Sequence, residues 1–499
     1  MARERELKLA VGDTFVMPPL VGEESGVADA RELPELELGS VYHDTSDLRL
    51  ARHGVTLRYR VGEPGGPVWT LKLPVAGHDA SSRDELDFDG GPAAIPPAAR
   101  SLVAARVRHA VLVPAAALST RRRRWLLSAA EGRELAELAQ DDVSVLDGDR
   151  VVARFRELEI ESRGPDLEAL LPIARQLQRS GAVPAAPVPK AVRALGARAT
   201  AQPDVVAVVP GPDSRAGDAV RAAIASAFLR LLEHDVPARL GDVEAVHQMR
   251  VASRRLRSDL RTFRRILDPA WRTGLSAELR WMGDVLGAVR DRDVELAFLG
   301  RIAGDLQPGI EPLMAQLRAA QEAARSELQS AMLGPRYLDL LDRLVDAARA
   351  PMLAADAQRP ARKLLPSLGA RVAGKLLEAG RSIGPDAEDA AYHQVRIAAK
   401  RARYAAEAVA PFLGREAAGQ ERFARRAAAL QDLLGTLQDA AVLELDARRM
   451  LAEREGDAGL AFATGHLLGR LEGTRRDART AYPDGWRKVR KAASAIGVT

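Results

Sequence analysis

The chain has 499 residues, 47% hydrophobic and 28% charged, which suits two to four folded domains and excludes a disordered chain. Because it has no cysteine, disulfides, thiolate metal sites and cysteine nucleophiles are excluded. Its start lacks the apolar core of a signal peptide, and no charge-free stretch approaches the roughly 18 residues of a membrane span. We therefore expect a cytoplasmic protein without a membrane partner.

Before about residue 200, several short segments alternate charged and apolar side chains. This period of two occurs at 4–9, 57–61, 70–73, 83–87 and 157–161, and it predicts β-strands. An ordinary half-buried sheet would turn these charges to solvent. However, carboxylates and cations recur on one face of strand after strand, which favours a closed barrel with a charged interior. Such a lining suits a polyanion bound together with a hard cation.

The pattern becomes helical near residue 200. The stretch 199–212 is rich in proline and has little periodicity, which predicts a linker. From about 215 to 495, apolar residues recur at spacings of three and four, and proline is sparse. We therefore expect one domain at 1–198 and a helical domain at 213–490.

The helical part contains an internal repeat. Residues 247–257 read HQMRVASRRLR and residues 393–403 read HQVRIAAKRAR; farther along, GDVLGAVRD is echoed by QDLLGTLQD. The simplest interpretation is two similar helical bundles, at about 215–350 and 360–490, related by a pseudo-two-fold axis.

Each repeat places a histidine and several cations on one helix face, opposite an apolar face. The segments 247–258 and 393–405 contain no acidic residue, whereas a solvated face usually mixes both signs of charge. We expect these faces to bind an anion. Aromatic residues make up only 4% of the chain, which argues against stacked nucleic-acid bases and favours a phosphate chain. The candidate residues are His247, Arg250, Arg254, Arg255, Arg257, His393, Arg396, Lys400, Arg401 and Arg403.

Seven short motifs occur in order in the N-terminal part: ERELK at 4–8, YHDTSD at 42–47, GVTLRYR at 54–60, WTLK at 69–72, RDE at 83–85, TRRRRW at 120–125 and ELE at 157–159. With these motifs, the N-terminal part resembles a CYTH domain of the triphosphate tunnel metalloenzyme superfamily. The histidine–arginine repeats resemble a CHAD domain. The resemblance implies a multidomain α+β protein, with an antiparallel eight-stranded β tunnel barrel followed by an all-α domain of two helical bundles.

The resemblance also implies binding partners and site residues. It implies inorganic triphosphate with Mg²⁺ or Mn²⁺ in the tunnel, inorganic polyphosphate on the helical domain, and association with polyphosphate granules. The implied metal ligands are Glu4, Glu6, Glu85, Asp141 or its neighbour Asp142, Glu157 and Glu159. The implied phosphate-binding residues are Lys8, Arg58, Arg60, Lys72, Arg83, Arg122 and Lys190, and the polyphosphate surface would extend to Arg371, Lys375 and Arg381.

The implied activity is metal-dependent hydrolysis of tripolyphosphate to pyrophosphate and phosphate. Glu4, Glu6 and Lys8 would be catalytic, with either glutamate accepting the proton of the attacking water. Three alternatives remain open. The tunnel could hydrolyse nucleoside or thiamine triphosphate, it could cyclise ATP, or the protein could be a non-catalytic polyphosphate-binding protein.

Overall fold

The computed structural model describes residues 2–75, 82–164, 168–186, 188–211, 213–381, 383–384, 387–454 and 456–499, without the side chains of 2–4, 305, 307 and 308. The chain forms two compact units, Met1–Asp204 and Val205–Thr499. The boundary between them lies within the stretch 199–212. None of the helices in the described ranges is long and apolar enough to cross a membrane.

The first unit is built on an antiparallel sheet. Its strands are β1 (Ala2–Val11), β2 (Asp29–Asp44), β3 (Thr56–Val61), β4 (Val68–Pro74), β5 (Ser82–Phe88), β6 (Val113–Ser128), β7 (Glu134–Asp147), β8 (Arg150–Ser162) and β9 (Val183–Pro184). Eight strands follow the order β5-β4-β3-β2-β6-β7-β8-β1, and pairing of β1 with β5 closes them into a barrel. The short β9 adds to β1. The predicted eight-stranded antiparallel barrel is confirmed.

The outer face of the barrel is apolar where a helix covers it. The helices of this unit are α1 (Arg49–Arg52), α2 (Pro97–Val107), α3 (Leu171–Arg179) and α4 (Lys190–Leu195). Leu158 and Ile160 of β8 are fully buried in one cluster with Leu177 of α3. Because side chains alternate along a strand, Glu157 and Glu159 point into the barrel.

One end of the barrel interior is filled by α4. Ala191 packs in one cluster with Leu118 of β6 and with Val143 and Val145 of β7. Side chains alternate along a strand, so these residues of β6 and β7 point into the barrel, as Arg122 and Asp141 do. The apolar packing places Lys190, the first residue of α4, beside the charged part of the interior.

The YHDTSD motif at 42–47 has a structural role near α1. The Asp44 carboxylate accepts hydrogen bonds from the backbone N–H groups of Thr45, Leu50 and Ala51. It therefore satisfies donors that would otherwise be buried unpaired where the chain leaves β2 and enters α1. The YHDTSD motif thus anchors the β2–α1 connection.

The second unit is helical. Its helices are α5 (Ala216–Arg239), α6 (Val243–Thr262), α7 (Pro269–Ala303), α8 (Gln307–Leu333), α9 (Pro335–Arg349), α10 (Ala361–Arg381), α11 (Asp389–Val409), α12 (Ala417–Glu453) and α13 (Ala458–Ser494). Helices α5–α7 correspond to α10–α12, and α8 and α9 together correspond to the long helix α13. Tyr337 of α9 donates a hydrogen bond to Asp235 of α5, as Tyr482 of α13 does to the Gly380 carbonyl of α10. Contacts between the repeats mainly join counterparts, such as α5 with α10 and α6 with α11. This is the expected pattern around a two-fold axis, and the predicted pair of bundles is confirmed.

Helices α6 and α11 present their cations as the sequence pattern requires. Asp242 begins α6, because its carboxylate accepts a hydrogen bond from the Ala245 N–H. Met249 and Leu256 are fully buried on the apolar face of α6, as Val395 is on that of α11. Burial of these faces in the two bundles leaves the cationic faces free to line a cavity between the repeats.

Candidate functional site

A charged cavity of about 290 Å³ lies inside the barrel. The predicted carboxylates Glu6, Glu85 and Glu159 line it. All seven predicted phosphate-binding residues line the same cavity: Lys8, Arg58, Arg60, Lys72, Arg83, Arg122 and Lys190.

Three buried carboxylates converge at one side of this cavity. Asp141, Glu157 and Glu159 have carboxylate oxygens within 4.8 Å of one another. The Lys190 Nζ lies 2.9, 2.8 and 2.5 Å from these three groups, respectively. Arg122 makes a bidentate pair with Asp141, at 2.8 and 2.7 Å, and also binds Glu159 at 2.7 Å. The carboxylates and cations therefore hold one another in fixed positions.

The register of β7 distinguishes Asp141 from Asp142. Asp141 lies opposite Glu157 and has no exposed surface. Asp142 lies opposite Arg156 and pairs with it at 2.6 Å, with 40% of its side chain exposed. The structure therefore places Asp141 in the carboxylate cluster and Asp142 outside it.

Burial and charge act in opposite directions on these groups. Burial alone would raise the pKa of Asp141 and Glu159, but Lys190 and Arg122 outweigh it and hold both pKa values below their ordinary range. Burial alone would lower the pKa of Lys190, but the three carboxylates raise it well above its ordinary value. Asp141, Glu159 and Lys190 therefore remain ionised at neutral pH.

Lys8 links the cluster to the start of β1. Its Nζ lies 2.6 Å from Glu159 and 3.1 Å from Glu6. The backbone of Glu4 pairs with Arg83 across β1 and β5, whereas the Glu4 side chain lies outside the described residues. The predicted catalytic pair Glu6 and Lys8 is thus brought together.

The opposite wall of the cavity carries the remaining predicted residues. Lys72 lies 3.2 Å from Glu85, and Arg58 lies 3.9 Å from the same carboxylate. Arg83 donates a hydrogen bond to the Gly54 carbonyl at 2.7 Å. Glu85 is therefore in the cavity, but it lies apart from the three clustered carboxylates, as does Glu6.

Several residues that line the cavity were not predicted from the sequence. Glu161 continues the alternation of Glu157 and Glu159 along β8, so the strand pattern could have identified it. Glu63 lies beyond the end of β3, so the alternation of a strand could not have identified it. It binds Arg60 at 2.9 Å. The other unpredicted lining residues are Leu36, Tyr42, Thr56, Arg124, Glu137 and Pro189.

The three clustered carboxylates fit a hard divalent cation. Carboxylate oxygens are the ligands that Mg²⁺ and Mn²⁺ prefer. The buried Oε1 of Glu157 accepts no hydrogen bond from the described residues, although Lys190 lies close to it. A carboxylate oxygen with unused acceptor capacity, next to two others, is what a metal ligand requires.

A second charged cavity, of about 530 Å³, lies between the two repeats of the helical unit. We call it the inter-repeat cavity. Corresponding residues of the two repeats line it in pairs: His247 with His393, Arg250 with Arg396, and Arg254 with Lys400.

Two glycines in the second repeated motif allow the arginines of this cavity to lie close to neighbouring helices. The Arg250 guanidinium lies against Gly287, and the Arg396 guanidinium lies against Gly435, at 3.5 and 3.6 Å from where a Cβ would be. Arg250 also binds Asp291 at 2.7 Å. The GDVLGAVRD motif and its echo therefore support the arginines of the first motif.

Lys400 is strongly perturbed in the inter-repeat cavity. Burial lowers its pKa, and the positive charges of Arg254 and Arg396 lower it further, to about 7. A polyanion bound between these cations would offset their mutual repulsion. The positive charge of this cavity therefore favours the binding of anions.

The other predicted cations of the helical unit lie elsewhere. Arg255 and Arg403 both bind Glu407, at 2.9 and 2.8 Å, and Arg257 lies against Gly283. Arg381 is the last residue of α10, and it lines neither the barrel cavity nor the inter-repeat cavity. Arg371, Lys375 and Arg401 line a separate small cavity of about 70 Å³ with Arg261, Arg264 and Arg265.

Comparison with known proteins gives matches for both units. The CYTH domain family matches residues 2–185, and the CHAD domain family matches residues 222–448. An uncharacterized protein of Mycobacterium tuberculosis is 31% identical over 467 residues, which cover 88% of this chain and 87% of that protein.

Two solved structures each match one unit. The CHAD domain from the plant Ricinus communis is 27% identical, with a TM-score of 0.46, and the match covers 57% of this chain and 95% of that chain. A Hippeastrum protein, named an adenylyl cyclase and reported to have a dominant triphosphatase activity, is 17% identical, with a TM-score of 0.22. That match covers 36% of this chain and 90% of the Hippeastrum chain.

Proposed function

The chain belongs to the family of proteins that join a CYTH domain to a CHAD domain, and we propose that its barrel hydrolyses inorganic triphosphate with Mg²⁺ or Mn²⁺. The products would be pyrophosphate and phosphate. The helical unit would bind inorganic polyphosphate through the inter-repeat cavity. The observation that carries the proposal is the convergence of seven cations and three clustered carboxylates on one barrel cavity.

The cations of the cavity suit a transferring phosphoryl group. Charge on such a group is spread over its oxygens, and fixed cations stabilise it most when they need not reorganise. Arg122 and Lys190 are fixed by Asp141 and Glu159. Lys72 and Arg58 stand near Glu85 on the opposite wall. A triphosphate chain between the walls would meet cations on both sides.

Asp141, Glu157 and Glu159 would hold the metal ion, with Glu4 and Glu6 as further candidate ligands. A bound ion would neutralise phosphate charge and orient the chain. Glu6, which lies 3.1 Å from Lys8, would accept the proton of an attacking water, and Glu4 is the alternative acceptor.

The lining favours an inorganic substrate over a nucleotide. The uncharged lining residues are Leu36, Tyr42, Thr56 and Pro189, and Tyr42 supplies the aromatic ring among them. A nucleobase or a thiazolium ring would find little surface on which to stack. This supports inorganic triphosphate ahead of nucleoside or thiamine triphosphate.

A non-catalytic polyphosphate-binding protein is a second candidate. The observation in its favour is that the Lys190 ammonium group already contacts all three clustered carboxylates, at 2.5 to 2.9 Å, where a metal ion would bind. In that case the barrel would bind the end of a phosphate chain without cleaving it.

Phosphate release distinguishes these functions. Tripolyphosphate, ATP, thiamine triphosphate and long-chain polyphosphate are compared at equal concentration, with Mg²⁺, with Mn²⁺ and with a chelator. We expect fast, metal-dependent release from tripolyphosphate and slow release from ATP. Binding without release from all four would favour the second candidate.

A pair of neighbouring variants controls for contaminating phosphatases. Arg122→Gln removes a cation of the cavity, whereas Arg121→Gln removes an arginine that pairs with Glu35 and is 62% exposed. We expect Arg122→Gln to lose about 100-fold or more in activity. Arg121→Gln should retain the wild-type rate, and equal loss in both variants would contradict the assignment.

A further inference from the structure

Another cavity of the helical unit, of about 230 Å³, lies between α5, α6 and α11 and is mostly apolar. We call it the Asp259 cavity. At 100° per residue, Asp259 lies about 140° around α6 from Arg254, so this cavity is on a different face from the inter-repeat cavity. Its apolar surface comes from residues such as Ala222, Ala223 and Phe412.

Asp259 is an unusual residue for such a lining. It is 2% exposed, and its Oδ1 has no hydrogen-bond partner among the described residues. A buried carboxyl oxygen without a partner is energetically costly and requires an explanation. The nearby Arg255 does not supply one, because it is paired with Glu407 at 2.9 Å.

We propose that the Asp259 cavity binds a small organic cation, an ammonium group attached to an apolar body. The ammonium would donate to the free Oδ1 of Asp259, and the apolar body would pack on Ala222, Ala223 and Phe412. An apolar cavity with a few convergent polar groups is the usual form of a small-molecule site. Two carboxyl groups, Asp259 and Glu407, and two guanidinium groups, Arg230 and Arg255, line this cavity. Arg255 is paired with Glu407 and Arg230 with Gln248, so the acceptor left for a ligand is the Oδ1 of Asp259, which a cation would satisfy.

The titration of Asp259 gives the site a pH dependence. Burial raises its pKa to about 8, the charge of Glu407 raises it, and the charge of Arg255 lowers it. Arg230 of α5 also faces the cavity, and its guanidinium donates to Gln248 at 3.3 Å. Because an ammonium needs an ionised partner, its affinity should rise between pH 6 and pH 9.

The test is calorimetric titration of the full-length protein with n-butylammonium, with n-butanol as the uncharged control. We expect n-butylammonium to bind more tightly than n-butanol, and more tightly at pH 9 than at pH 6. Asp259→Asn should lower its affinity by about tenfold or more, since a charge-assisted hydrogen bond is lost. Asp356→Asn, which changes a carboxylate paired with Arg265 outside this cavity, should not change it.

A second variant guards against misfolding of Asp259→Asn. Ala223→Leu keeps the carboxyl and fills the cavity, so it should also abolish binding, while circular dichroism reports the helical content of each variant. Absence of binding to the wild type, or equal affinity in wild type and Asp259→Asn, would mean that water alone fills the cavity and would overturn the proposal. The readout does not involve phosphate, so it fails or succeeds independently of the proposed triphosphatase.

Discussion

At the scale of single residues, neighbouring charges in the barrel cavity shift the pKa of Tyr42 more than its burial does. Burial alone would raise the pKa of its phenol, but Arg58 and Arg60 lower it to about 8. The same cations are expected to contact phosphate. The ionisation of Tyr42 therefore reports on the positive potential that the substrate would meet.

We predict that one tyrosine titrates with a midpoint near pH 8. The measurement is ultraviolet absorbance of the phenolate in wild type and in Tyr42→Phe, whose difference isolates this residue. Saturating tripolyphosphate should move the midpoint upward, because its negative charge offsets that of Arg58 and Arg60. A difference titration with an ordinary midpoint near 10 would contradict the expected potential.

At the scale of elements, a turn between β3 and β4 holds part of the cavity in place. Gly62 has a φ of +92°, and a Cβ there would lie 2.0 Å from the Glu37 carbonyl oxygen. Gly66, in the same turn, has the same φ, but a Cβ there would meet no atom of the described residues within 4 Å. Gly62 therefore combines backbone and steric constraints, and it separates Arg60 from Glu63, both of which line the cavity.

Gly62→Ala should destabilise the barrel by about 3 kcal/mol or more, since strain and overlap add. Gly66→Ala is the matched control and should cost about 1–2 kcal/mol, from the positive φ alone. Calorimetric unfolding of the full-length protein measures both. Equal effects of the two substitutions would show that the close approach to Glu37 is relieved by a small backbone movement.

The cationic helices make a prediction about pH. The pKa of Lys400 is lowered to about 7 when the inter-repeat cavity is empty, and a bound polyanion should raise it. Polyphosphate binding should then take up protons near pH 8, and its affinity should be greatest below pH 7 and fall as pH rises. Calorimetry in two buffers of different ionisation enthalpy measures the uptake.

Variants of the helical unit identify which group takes up the protons. Burial raises the pKa of Glu295 in the same lining to about 7, so its ionisation acts in the same direction. Lys400→Met should reduce the proton uptake and leave the contribution of Glu295. Arg403→Gln, whose guanidinium binds Glu407 away from this cavity, should keep the full uptake. Unchanged uptake in Lys400→Met would refute the assignment to Lys400.

At the scale of the whole molecule, two sequence patterns predicted most of the fold: the alternation of charged and apolar residues in the strands, and the repeated histidine–arginine motif in the helices. The charged alternation of β1 and β8 predicted the barrel because the buried outer face is apolar, as Leu158 and Ile160 show. The choice between Asp141 and Asp142 could not be made from the sequence, because the parity of β7 depends on its pairing with β8.

The sequence also could not predict which cations of the helical unit line the inter-repeat cavity and which lie elsewhere. Periodicity places Arg255 and Arg403 near the cationic faces, but both bind Glu407, which is distant in sequence from Arg255. The Asp259 cavity also gives no sequence signal, since a single aspartate on an apolar face is not a pattern. These features depend on contacts between helices from different repeats.

Joining the two units in one chain predicts a selective effect on long substrates. If the inter-repeat cavity holds a long phosphate chain, it raises the local concentration of chain ends for the barrel. Arg254→Gln combined with Arg396→Gln should raise KM for long-chain polyphosphate severalfold and leave KM for tripolyphosphate unchanged. No KM change for either substrate would show that the two units act independently, and equal changes for both would show that the effect does not come from holding a long chain; either result would contradict the prediction.

The most direct test of the barrel site compares two adjacent aspartates in steady-state phosphate release from tripolyphosphate with Mg²⁺. Asp141→Asn changes a buried carboxylate of the three-carboxylate cluster, and Asp142→Asn changes the neighbouring carboxylate that pairs with Arg156. We predict a loss of about 100-fold or more for Asp141→Asn and a rate close to wild type for Asp142→Asn. A fully active Asp141→Asn protein would contradict the assignment of the triphosphatase site to the barrel cavity.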